Sequence, residues 1–362
     1  MIPSNHNRRE FIKGASGLAI SVMAGPLLAT LGCLGKKVKP VVSIVKISDD
    51  HIDYAIEKAI DLLGGMETVA RGKGRIMLKP NLVAEGRDFT TKPEVIRPLV
   101  RLMKKAGKEV CIGEGSAAGN GFNLIHDKQY QTHSKEILDP MQQYVFDTLG
   151  YTELAKTENI PLINLHSGEM AEVRIRQGLV FNTITLHKSL TEIDLLCSVP
   201  MMKTHVLATV TLGMKNLMGL YPGTRYCSVR SCVHNEAFEA GSPGISFEIL
   251  DIVRANKLGL TVIDASTSME GDGPAGGTLL KTDLIIAGTH PLATDMVAAR
   301  AMGFSPEEIP TFTTAFSLGM KPDQLADIEI RGEKLESVSR KFIKPHVIPW
   351  ENISSYYGAE EI

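Results

Sequence analysis

The chain has 362 residues, 43% of them hydrophobic, which is enough apolar material for a large core in one or two domains. Its 39 basic and 41 acidic residues leave a formal net charge of -2 without a basic patch, which argues against nucleic acid as a partner. Five cysteines are too few to hold a chain of this length as a disulfide scaffold.

The first 38 residues have the pattern of an export signal. Paired arginines are followed, at fixed spacing, by an aromatic and a basic residue and then by an uncharged stretch from Ala15 to Gly32. The four spaced residues are Arg8, Arg9, Phe11 and Lys13. Their order resembles the twin-arginine signal, which implies the twin-arginine translocase as a partner and a periplasmic or other extracytoplasmic location. A plain secretory signal and a helical membrane anchor are the alternatives.

Two further features of this segment bear on anchoring and on cofactors. Gly17, Gly25 and Pro26 interrupt the apolar stretch, which makes a membrane-spanning helix less favourable. Cys33 follows an imperfect lipoprotein cleavage pattern, so membrane anchoring through a lipid on this residue is an alternative to simple cleavage. The resemblance to a twin-arginine signal also implies export in the folded state, which suits a protein that loads a cofactor beforehand.

Beyond residue 38, apolar runs of strand length alternate with segments of helical periodicity. In the first half, strands are predicted at 41–47, 74–83, 108–116 and 160–165, and helices at 52–65, 92–107 and 136–151. Alternating polarity around Gly178, in residues 172–190, predicts a β-hairpin. In the second half, strands are predicted at 194–200, 258–266, 282–289 and 325–333, with a helix at 291–304. This order is typical of a parallel sheet covered by helices.

The predicted fold class is therefore α/β, with mostly parallel sheets flanked by helices. We expect two α/β lobes, at about 39–165 and 190–335, with an interlobe cleft and the β-hairpin inserted between them. Residues 336–362 have weak periodicity and are predicted to form a C-terminal tail. Ligands of open parallel sheets bind beyond the carboxyl ends of the strands, so the polar side chains at those ends form the candidate site.

Charged and amide side chains follow the predicted strands at several points in the chain. They are Lys79, Asn81, Glu114, Lys203, His205, Asp264, Glu270, Asp272 and Asp295. One charged loop residue means little, but their recurrence at successive strand ends predicts a polar cleft.

In the stretch MMKTHVLATVTLGMKNLMG, four polar residues lie within mostly apolar sequence. Lys203 and His205 follow a buried strand, while Lys215 and Asn216 lie in a segment predicted to be helical from about Val206. Lys215 either snorkels from a helix edge or is buried and paired. Because buried amides and ammonium groups need partners, we favour a pocket where these four side chains meet acidic groups or a bound anion.

The segment GDGPAGG places Gly271, Gly273 and Gly276 in one loop. It is not a Walker-type P-loop, because no Gly-Lys-Ser/Thr follows. Its glycines form either a flexible turn or a loop whose backbone amides approach an anion, and its place after a core strand favours the second interpretation.

The segment CSVRSCVH contains Cys227, Cys232 and His234. These residues form either a metal site, alone or with His205, or a local disulfide in an oxidising compartment. The spacing lacks a C-x2-C pair, which weighs against the metal. His234 by itself is a candidate ligand or acid–base group.

The motifs IMLKPNLV, VCIGEGS, MMKTHVLATVTLGMKNLMG and VIDASTSMEGDGPAGG occur in this order along the chain. Together they resemble the prokaryotic family catalogued as domain of unknown function 362, over roughly residues 41–335. The resemblance implies a shared α/β fold and pocket without an established reaction. Some relatives carry a ferredoxin-like segment of clustered cysteines, which this chain lacks, so no intrinsic iron–sulfur cluster is expected. The first half also resembles the nickel-pincer lactate racemases, by analogy of fold alone.

The leading hypothesis is an exported α/β protein that binds an anionic small molecule or cofactor, with or without a divalent metal. The candidate catalytic residues are Lys203, His205, Lys215, His234 and Asp264. Ligand contacts are expected from Lys79, Asn81, Glu114, Asn216, Gly271, Gly273 and Gly276. Candidate metal ligands are Glu270, Asp272 and Asp295. The alternatives are a redox or iron–sulfur-associated accessory protein of the cell envelope and a solute-binding protein without catalysis.

Overall fold

The computed structural model describes residues 38–126 and 128–352. The predicted export signal lies outside the described residues, including Arg8, Arg9, Phe11, Lys13 and the candidate lipidation site Cys33. Across the two described ranges, no helix has both the length and the apolar character needed to cross a lipid bilayer.

The strands and helices follow one another closely along the described chain. The strands are β1 (Val41–Lys46), β2 (Arg75–Pro80), β3 (Glu109–Glu114), β4 (Leu124–Ile125), β5 (Lys128–Gln129), β6 (Leu162–Asn164), β7 (Met170–Arg174), β8 (Thr183–His187), β9 (Leu195–Val199), β10 (Met201–His205), β11 (Thr209–Thr211), β12 (Leu258–Glu270), β13 (Thr278–Gly288) and β14 (Glu329–Gly332). The helices are α1 (Ile52–Leu62), α2 (Met66–Val69), α3 (Pro93–Lys105), α4 (Lys135–Thr148), α5 (Tyr151–Glu158), α6 (Ser189–Glu192), α7 (Gly213–Asn216), α8 (Gly223–Tyr226), α9 (Ser231–Glu239), α10 (Ser246–Ala255), α11 (Pro291–Ala301), α12 (Pro310–Ser317) and α13 (Leu335–Val338).

Most of the strands belong to one mixed sheet, in the order β14-β1-β13-β12-β9-β2-β3-β6. From β12 to β6 every neighbouring pair is parallel. Along this path β13 is the strand that runs antiparallel to its neighbours, β1 and β12. β10 pairs in parallel with β12 and forms an antiparallel pair with β11. The predicted α/β class, with a mostly parallel sheet, is confirmed.

The two segments expected to form separate lobes share this one sheet. β2, from the first segment, pairs in parallel with β9, from the second, between Ile76–Pro80 and Leu195–Val199. β9 is buried along its whole length and needs a hydrogen-bonding neighbour at each edge, which chain order alone does not identify. The expectation of a cleft between lobes is corrected accordingly, because the polar strand ends converge at one edge of a continuous sheet.

Helices cover both faces of the sheet and bury its alternating side chains. Ile285 belongs to a core cluster with Ile56 of α1 and Leu99 of α3. The next residue, Ile286, belongs to the opposite cluster with Val297 of α11. Successive side chains of a strand point to opposite faces, so a strand buried on both faces reads as a continuous apolar run. This arrangement explains why the strands were recognisable in the sequence.

The β-hairpin predicted around Gly178 is confirmed as the antiparallel pair β7 and β8, which forms a separate two-stranded sheet. Residues 339–352, the described part of the chain after α13, contain little regular structure. Their backbone joins the neighbouring elements, because the Ile348 N–H donates to the Val206 carbonyl at 2.9 Å and the Ile343 carbonyl accepts the Gly271 N–H at 2.9 Å.

The helix expected from about Val206 is wrong over its first half. Instead, β10 and β11 form a tight antiparallel pair in which Lys203 lies opposite Thr211 and His205 opposite Thr209. β-Branched residues favour strands, and the sequence TVT supplies three in succession. Helical structure begins only at Gly213, with four α-helical residues that a 3₁₀-helix at Leu217–Leu220 continues. The polar residues of this stretch therefore approach the site from a hairpin and a single helical turn.

Candidate functional site

A cavity of about 110 Å³ lies at the carboxyl ends of β2 and β3, covered by the segment from β10 to α9. Polar side chains from seven different parts of the chain line it: Lys79, Asn81, Glu114, Gln129, His205, Thr211, Lys215, Asn216, Arg230 and His234. Seven of these ten residues were predicted from the sequence as site residues, and the exceptions are Gln129, Thr211 and Arg230.

The floor of the cavity is a buried ion pair between Lys79 and Glu114. The side chains are 1% and 2% exposed, and the ammonium nitrogen lies 2.7 Å from the carboxylate. Glu114 also accepts the backbone N–H groups of Leu82 at 2.9 Å and Gly115 at 2.8 Å. Lys79 donates in addition to the Pro80 carbonyl at 2.8 Å. Burial lowers the pKa of Lys79, while Glu114 opposes that shift. The pair neutralises itself and holds the ends of β2 and β3 together.

Asn216 joins α7 to the sheet through three hydrogen bonds, which use both N–H groups of its amide. Its amide nitrogen donates to the Lys79 carbonyl and to Ser198 Oγ, both at 3.0 Å, and its oxygen accepts from Lys79 Nζ at 3.3 Å. These contacts give Asn216 a positioning role, and the predicted ligand contact stays a prediction. Asn216 fixes the short helix that carries Lys215.

Four polar groups around the cavity lack a hydrogen-bond partner within the described residues. Asn81 Oδ1 and Thr211 Oγ1 are fully buried and unsatisfied. Lys215 makes neither a hydrogen bond nor an ion pair with any described residue, and His205 Nε2 makes no hydrogen bond. Buried polar groups are almost always paired, so four open ones around a single cavity indicate a binding site.

His205 is held as a neutral imidazole. Its Nδ1 accepts the Leu207 backbone N–H at 3.0 Å, which leaves the proton on Nε2. Burial, and then the positive charges of Lys215 and Lys203, lower the pKa of His205 well below its usual value. Near neutral pH the ring therefore presents Nε2 as a hydrogen-bond donor.

Lys215 is held in a partly enclosed position at the cavity wall by the short helix α7. Burial lowers its pKa to about 8, with the Arg230 charge as the next largest cause and Glu248 acting in the opposite direction. A lysine in this state exchanges its proton near physiological pH.

Arg230 is the principal site residue that the sequence analysis missed. It adopts a left-handed backbone conformation, with φ of 62°, at the turn before α9. Its guanidinium donates to five backbone carbonyls, which belong to Gly115, Ser116, Met218, Gly219 and Ser228. All five N–H donors are thereby used, so Arg230 contributes positive charge to the cavity without a free donor. Burial lowers its pKa to about 10, which leaves it charged at neutral pH.

The cysteines on either side of Arg230 form a disulfide, Cys227–Cys232. Of the two interpretations left open by the sequence, the local disulfide is confirmed and metal binding by these thiols is wrong. The bond closes the turn that carries Arg230. The redox accessory hypothesis loses its proposed metal ligands as a result.

His234, in the first turn of α9, is paired with a buried acid from α10. Its Nδ1 forms a hydrogen bond with Glu248 Oε1, a residue not singled out in the sequence. Burial raises the pKa of Glu248 and lowers that of His234, and Lys215 and Arg230 lower the histidine value further. Both shifts favour the uncharged forms, so we describe the pair as a protonated carboxyl group and a neutral imidazole.

Lys203 lies next to the cavity without lining it. Its ammonium group donates to the Phe89 carbonyl at 2.6 Å and to the Pro274 carbonyl at 3.2 Å, and it lies 5.9 Å from the Phe89 ring centre. Burial, followed by the charge of Lys215, lowers the pKa of Lys203 well below its usual value. Lys203 therefore anchors two loops, and the catalytic role expected for it is not supported by its position.

The predicted metal ligands do not come together. Glu270 accepts the Ile343 N–H at 2.8 Å, and Asp272 accepts the His346 N–H at 2.8 Å. The described ranges contain no group of three or more His, Cys, Asp or Glu side chains arranged to hold a metal ion. These exposed or half-exposed carboxylates instead fix the C-terminal segment to the loop after β12.

The remaining expected acid groups also bind backbone instead of ligand. Asp295 accepts the first two N–H groups of α7, from Gly213 and Met214, both at 2.8 Å. Its burial raises its pKa to about 7. Asp264, expected to be catalytic, lies within β12 and accepts Ser266 Oγ at 2.7 Å, outside the cavity lining. Neither carboxylate reaches the cavity, because each is satisfied by the chain around it.

The glycine loop approaches the site without presenting amides to it. The Gly271 N–H donates to Ile343 and the Gly273 N–H to Gly271, so neither amide is available to an anion. A side chain at Gly273 would lie 2.1 Å from the Thr204 carbonyl, which explains the glycine at that position. Gly276 is exposed, and Pro274 is the residue of this loop that lines the cavity. The anion-binding interpretation of the loop is therefore corrected to a packing role.

The chain is similar to known proteins in both sequence and structure. It is 26% identical over 273 residues to the thylakoid-associated protein sll1697 of Synechocystis sp., covering 74% of this chain and 75% of that protein. Among solved structures it is similar to the lactate racemase apoprotein of Thermoanaerobacterium thermosaccharolyticum, with a TM-score of 0.40, 16% identity and coverage of 72% of this chain and 57% of that one. A Thermotoga maritima protein gives a TM-score of 0.29 at 12% identity, covering 61% and 51% of the two chains.

The chain thus spans little more than half the length of these two solved structures. A family model described as domain of unknown function (DUF362) matches residues 76–300, which include every polar residue of the cavity. Because this match covers more than half of the chain, we conclude that the protein belongs to the domain of unknown function 362 family.

Proposed function

We propose that the protein binds a small anionic molecule in the cavity at the carboxyl ends of β2 and β3. The observation that carries this proposal is the set of unpaired polar groups at Asn81, Thr211, His205 and Lys215 around one small cavity. Three of them are hydrogen-bond donors in their expected protonation states, whereas the unpaired atom of Asn81 is its amide oxygen, an acceptor. A donor-rich lining is complementary to carboxylate, phosphate or another oxyanion.

The charges around the cavity favour the same kind of ligand. Glu114 neutralises the charge of Lys79. The lowered pKa of His234 and the raised pKa of Glu248, both caused mainly by burial, favour the uncharged forms of that pair. The remaining cationic groups that line the cavity are Arg230 and Lys215, and neither has a carboxylate within hydrogen-bonding distance among the described residues. A buried excess of positive charge is costly unless an anion compensates it.

The size of the cavity limits the ligand. A volume of about 110 Å³ is smaller than the roughly 150 Å³ of an engineered cavity that holds benzene, a molecule of six non-hydrogen atoms. Short carboxylates and inorganic oxyanions satisfy this limit. The cavity is partly open to solvent, and a small metabolite is the ligand that its volume favours.

Replacing Lys215 with methionine is expected to weaken anion binding by about 10- to 100-fold, because a hydrogen bond to a charged group contributes roughly 1.5–3 kcal/mol. Isothermal titration calorimetry with phosphate, sulfate, oxalate and pyruvate measures this loss. Lys188→Met is the matched control, since Lys188 is exposed and paired with Glu169 at 2.6 Å. Failure of all four anions to bind the unaltered protein, or equal affinities in both variants, would contradict the proposal.

We also propose that the protein is exported, as residues 1–38 suggest. The Cys227–Cys232 bond supports this location, because disulfides persist mainly in oxidising compartments outside the cytoplasm. Replacing both Arg8 and Arg9 with lysine should retain the protein in the cytoplasm, as measured by cell fractionation and by thiol alkylation. Undiminished export of that variant would rule out the twin-arginine route.

A further inference from the structure

We propose that Lys215 is a nucleophile that forms an imine with a small 2-oxo carboxylate bound in the cavity. This inference rests on the proposed anion binding and specifies its substrate class. It assigns a covalent role to one lysine among the three that the structure brings to this region, which are Lys79, Lys203 and Lys215.

The contacts of the three lysines distinguish them chemically. Lys79 is held by Glu114, Asn216 and the Pro80 carbonyl, and Lys203 is held by two backbone carbonyls. Lys215 lines the cavity and makes no hydrogen bond or ion pair to a described residue. A nucleophile needs a free lone pair and access to its target, and Lys215 alone of these three side chains has both.

Arg230 is suited to attract the anion while leaving the amine free to react. Its five donors are occupied by carbonyls, so it acts on the cavity through its charge. That charge favours a bound carboxylate and also contributes to lowering the pKa of Lys215 to about 8. About a tenth of the Lys215 side chains are then unprotonated at pH 7, far more than for an ordinary lysine.

Other side chains of the cavity that lack a hydrogen-bond partner can bind the carbonyl and carboxylate groups of the 2-oxo acid. His205 presents Nε2–H, and Thr211 presents a hydroxyl without a partner, so both are available to stabilise negative charge on the carbonyl oxygen. The side-chain NH2 group of Asn81, which also lines the cavity, makes no hydrogen bond to a described residue and can donate to the carboxylate. Pyruvate, with six non-hydrogen atoms, contains both functional groups and falls within the size limit set by the cavity.

The chemistry balances with water as the by-product. The Nζ lone pair of neutral Lys215 forms a bond to the carbonyl carbon, and the π electrons of the C=O bond move to oxygen. One proton passes from nitrogen to that oxygen to give a carbinolamine. A second proton, from solvent, allows the hydroxyl to leave as water while the nitrogen lone pair forms the C=N bond. The product is a protonated imine, and one proton is consumed.

Reductive trapping tests the proposal on the full-length protein. Incubation with pyruvate and cyanoborohydride should give a single reduced adduct, located at Lys215 by mass spectrometry of peptides. Exposed Lys188 in the same digest is the internal control. The ratio of adduct at Lys215 to adduct at Lys188 should fall about tenfold from pH 7 to pH 9, because the small free-amine fraction of Lys188 rises about a hundredfold in that range while that of Lys215 rises only about tenfold as it approaches saturation. Lys215→Arg should abolish the specific adduct while retaining a positive charge.

The possible results separate this inference from the proposed function. Calorimetric binding of pyruvate without an adduct at Lys215 would overturn the imine and leave anion binding intact. Absence of binding by pyruvate, phosphate, sulfate and oxalate would overturn both. Adducts spread over exposed lysines, with no preference for Lys215, would also contradict the imine. This peptide mapping uses the unaltered protein, so it does not depend on whether a variant folds.

Discussion

Replacing Lys79 with methionine should lower the free energy of unfolding by about 3–5 kcal/mol, because it leaves the buried carboxylate of Glu114 without its counter-charge. The pair lies at the ends of two central strands, where its exposed fractions are 1% and 2%. The two backbone N–H groups bound to Glu114 cannot replace a full positive charge. The protein is therefore expected to tolerate loss of the whole pair better than loss of the lysine alone.

Urea denaturation of Lys79→Met, Glu114→Gln and the double variant measures this coupling. The double variant should be more stable than the sum of the single changes predicts, by an interaction energy of about 1–3 kcal/mol. The exposed pair Lys188 and Glu169 provides a control, for which the same cycle should give at most about 1 kcal/mol. Additive effects at Lys79 and Glu114 would show that the ion pair does not hold these strand ends together.

Replacing Arg230 with methionine should destabilise the fold by about 4 kcal/mol and also abolish measurable anion binding. The substitution leaves five backbone carbonyls without their donor, and charged hydrogen bonds are among the stronger ones in proteins. It also removes a positive charge that is not neutralised by any carboxylate in hydrogen-bonding distance. Thermal or urea unfolding measures the first effect, and calorimetry with phosphate measures the second.

Arg230→Lys is the informative companion to this variant. Lysine restores the charge but has three donors where arginine has five, so affinity should recover more fully than stability. Because both quantities are measured on the same proteins, loss of folding can be distinguished from loss of charge. Unchanged phosphate affinity in Arg230→Met would mean that the positive potential of this residue does not act on the cavity.

The regular elements could be predicted from the sequence because their signals are local. Apolar runs bounded by glycine and proline located β1, β2, β3 and β9, and 3.6-residue periodicity located α1 and α3. The rule that ligands bind at the carboxyl ends of parallel strands then selected Lys79, Asn81 and Glu114, which do line the cavity. Residue type and position along a strand were sufficient for these assignments.

The partners of those residues were decided by tertiary structure. Nothing in the spacing of Lys79 and Glu114 indicates that they form an ion pair, since β2 and β3 meet only through sheet formation. Asp264 and Asp295 were selected by the same rule as the true cavity residues, yet backbone N–H groups elsewhere in the fold satisfy them. A carboxylate near a strand end has the same sequence signal whether it faces a ligand or a helix terminus.

The segment from Met201 to Gly219 shows most clearly which properties the sequence determines and which the tertiary structure decides. The sequence alone determined that its lysines, histidine and asparagine are unusual in an apolar setting and need partners. Only the fold decided that Asn216 binds Lys79 and Ser198, that Lys203 holds two loops and that Lys215 is left open to the cavity. The physical reason is that burial is encoded locally by composition and periodicity, whereas hydrogen-bond satisfaction depends on groups brought from distant parts of the chain.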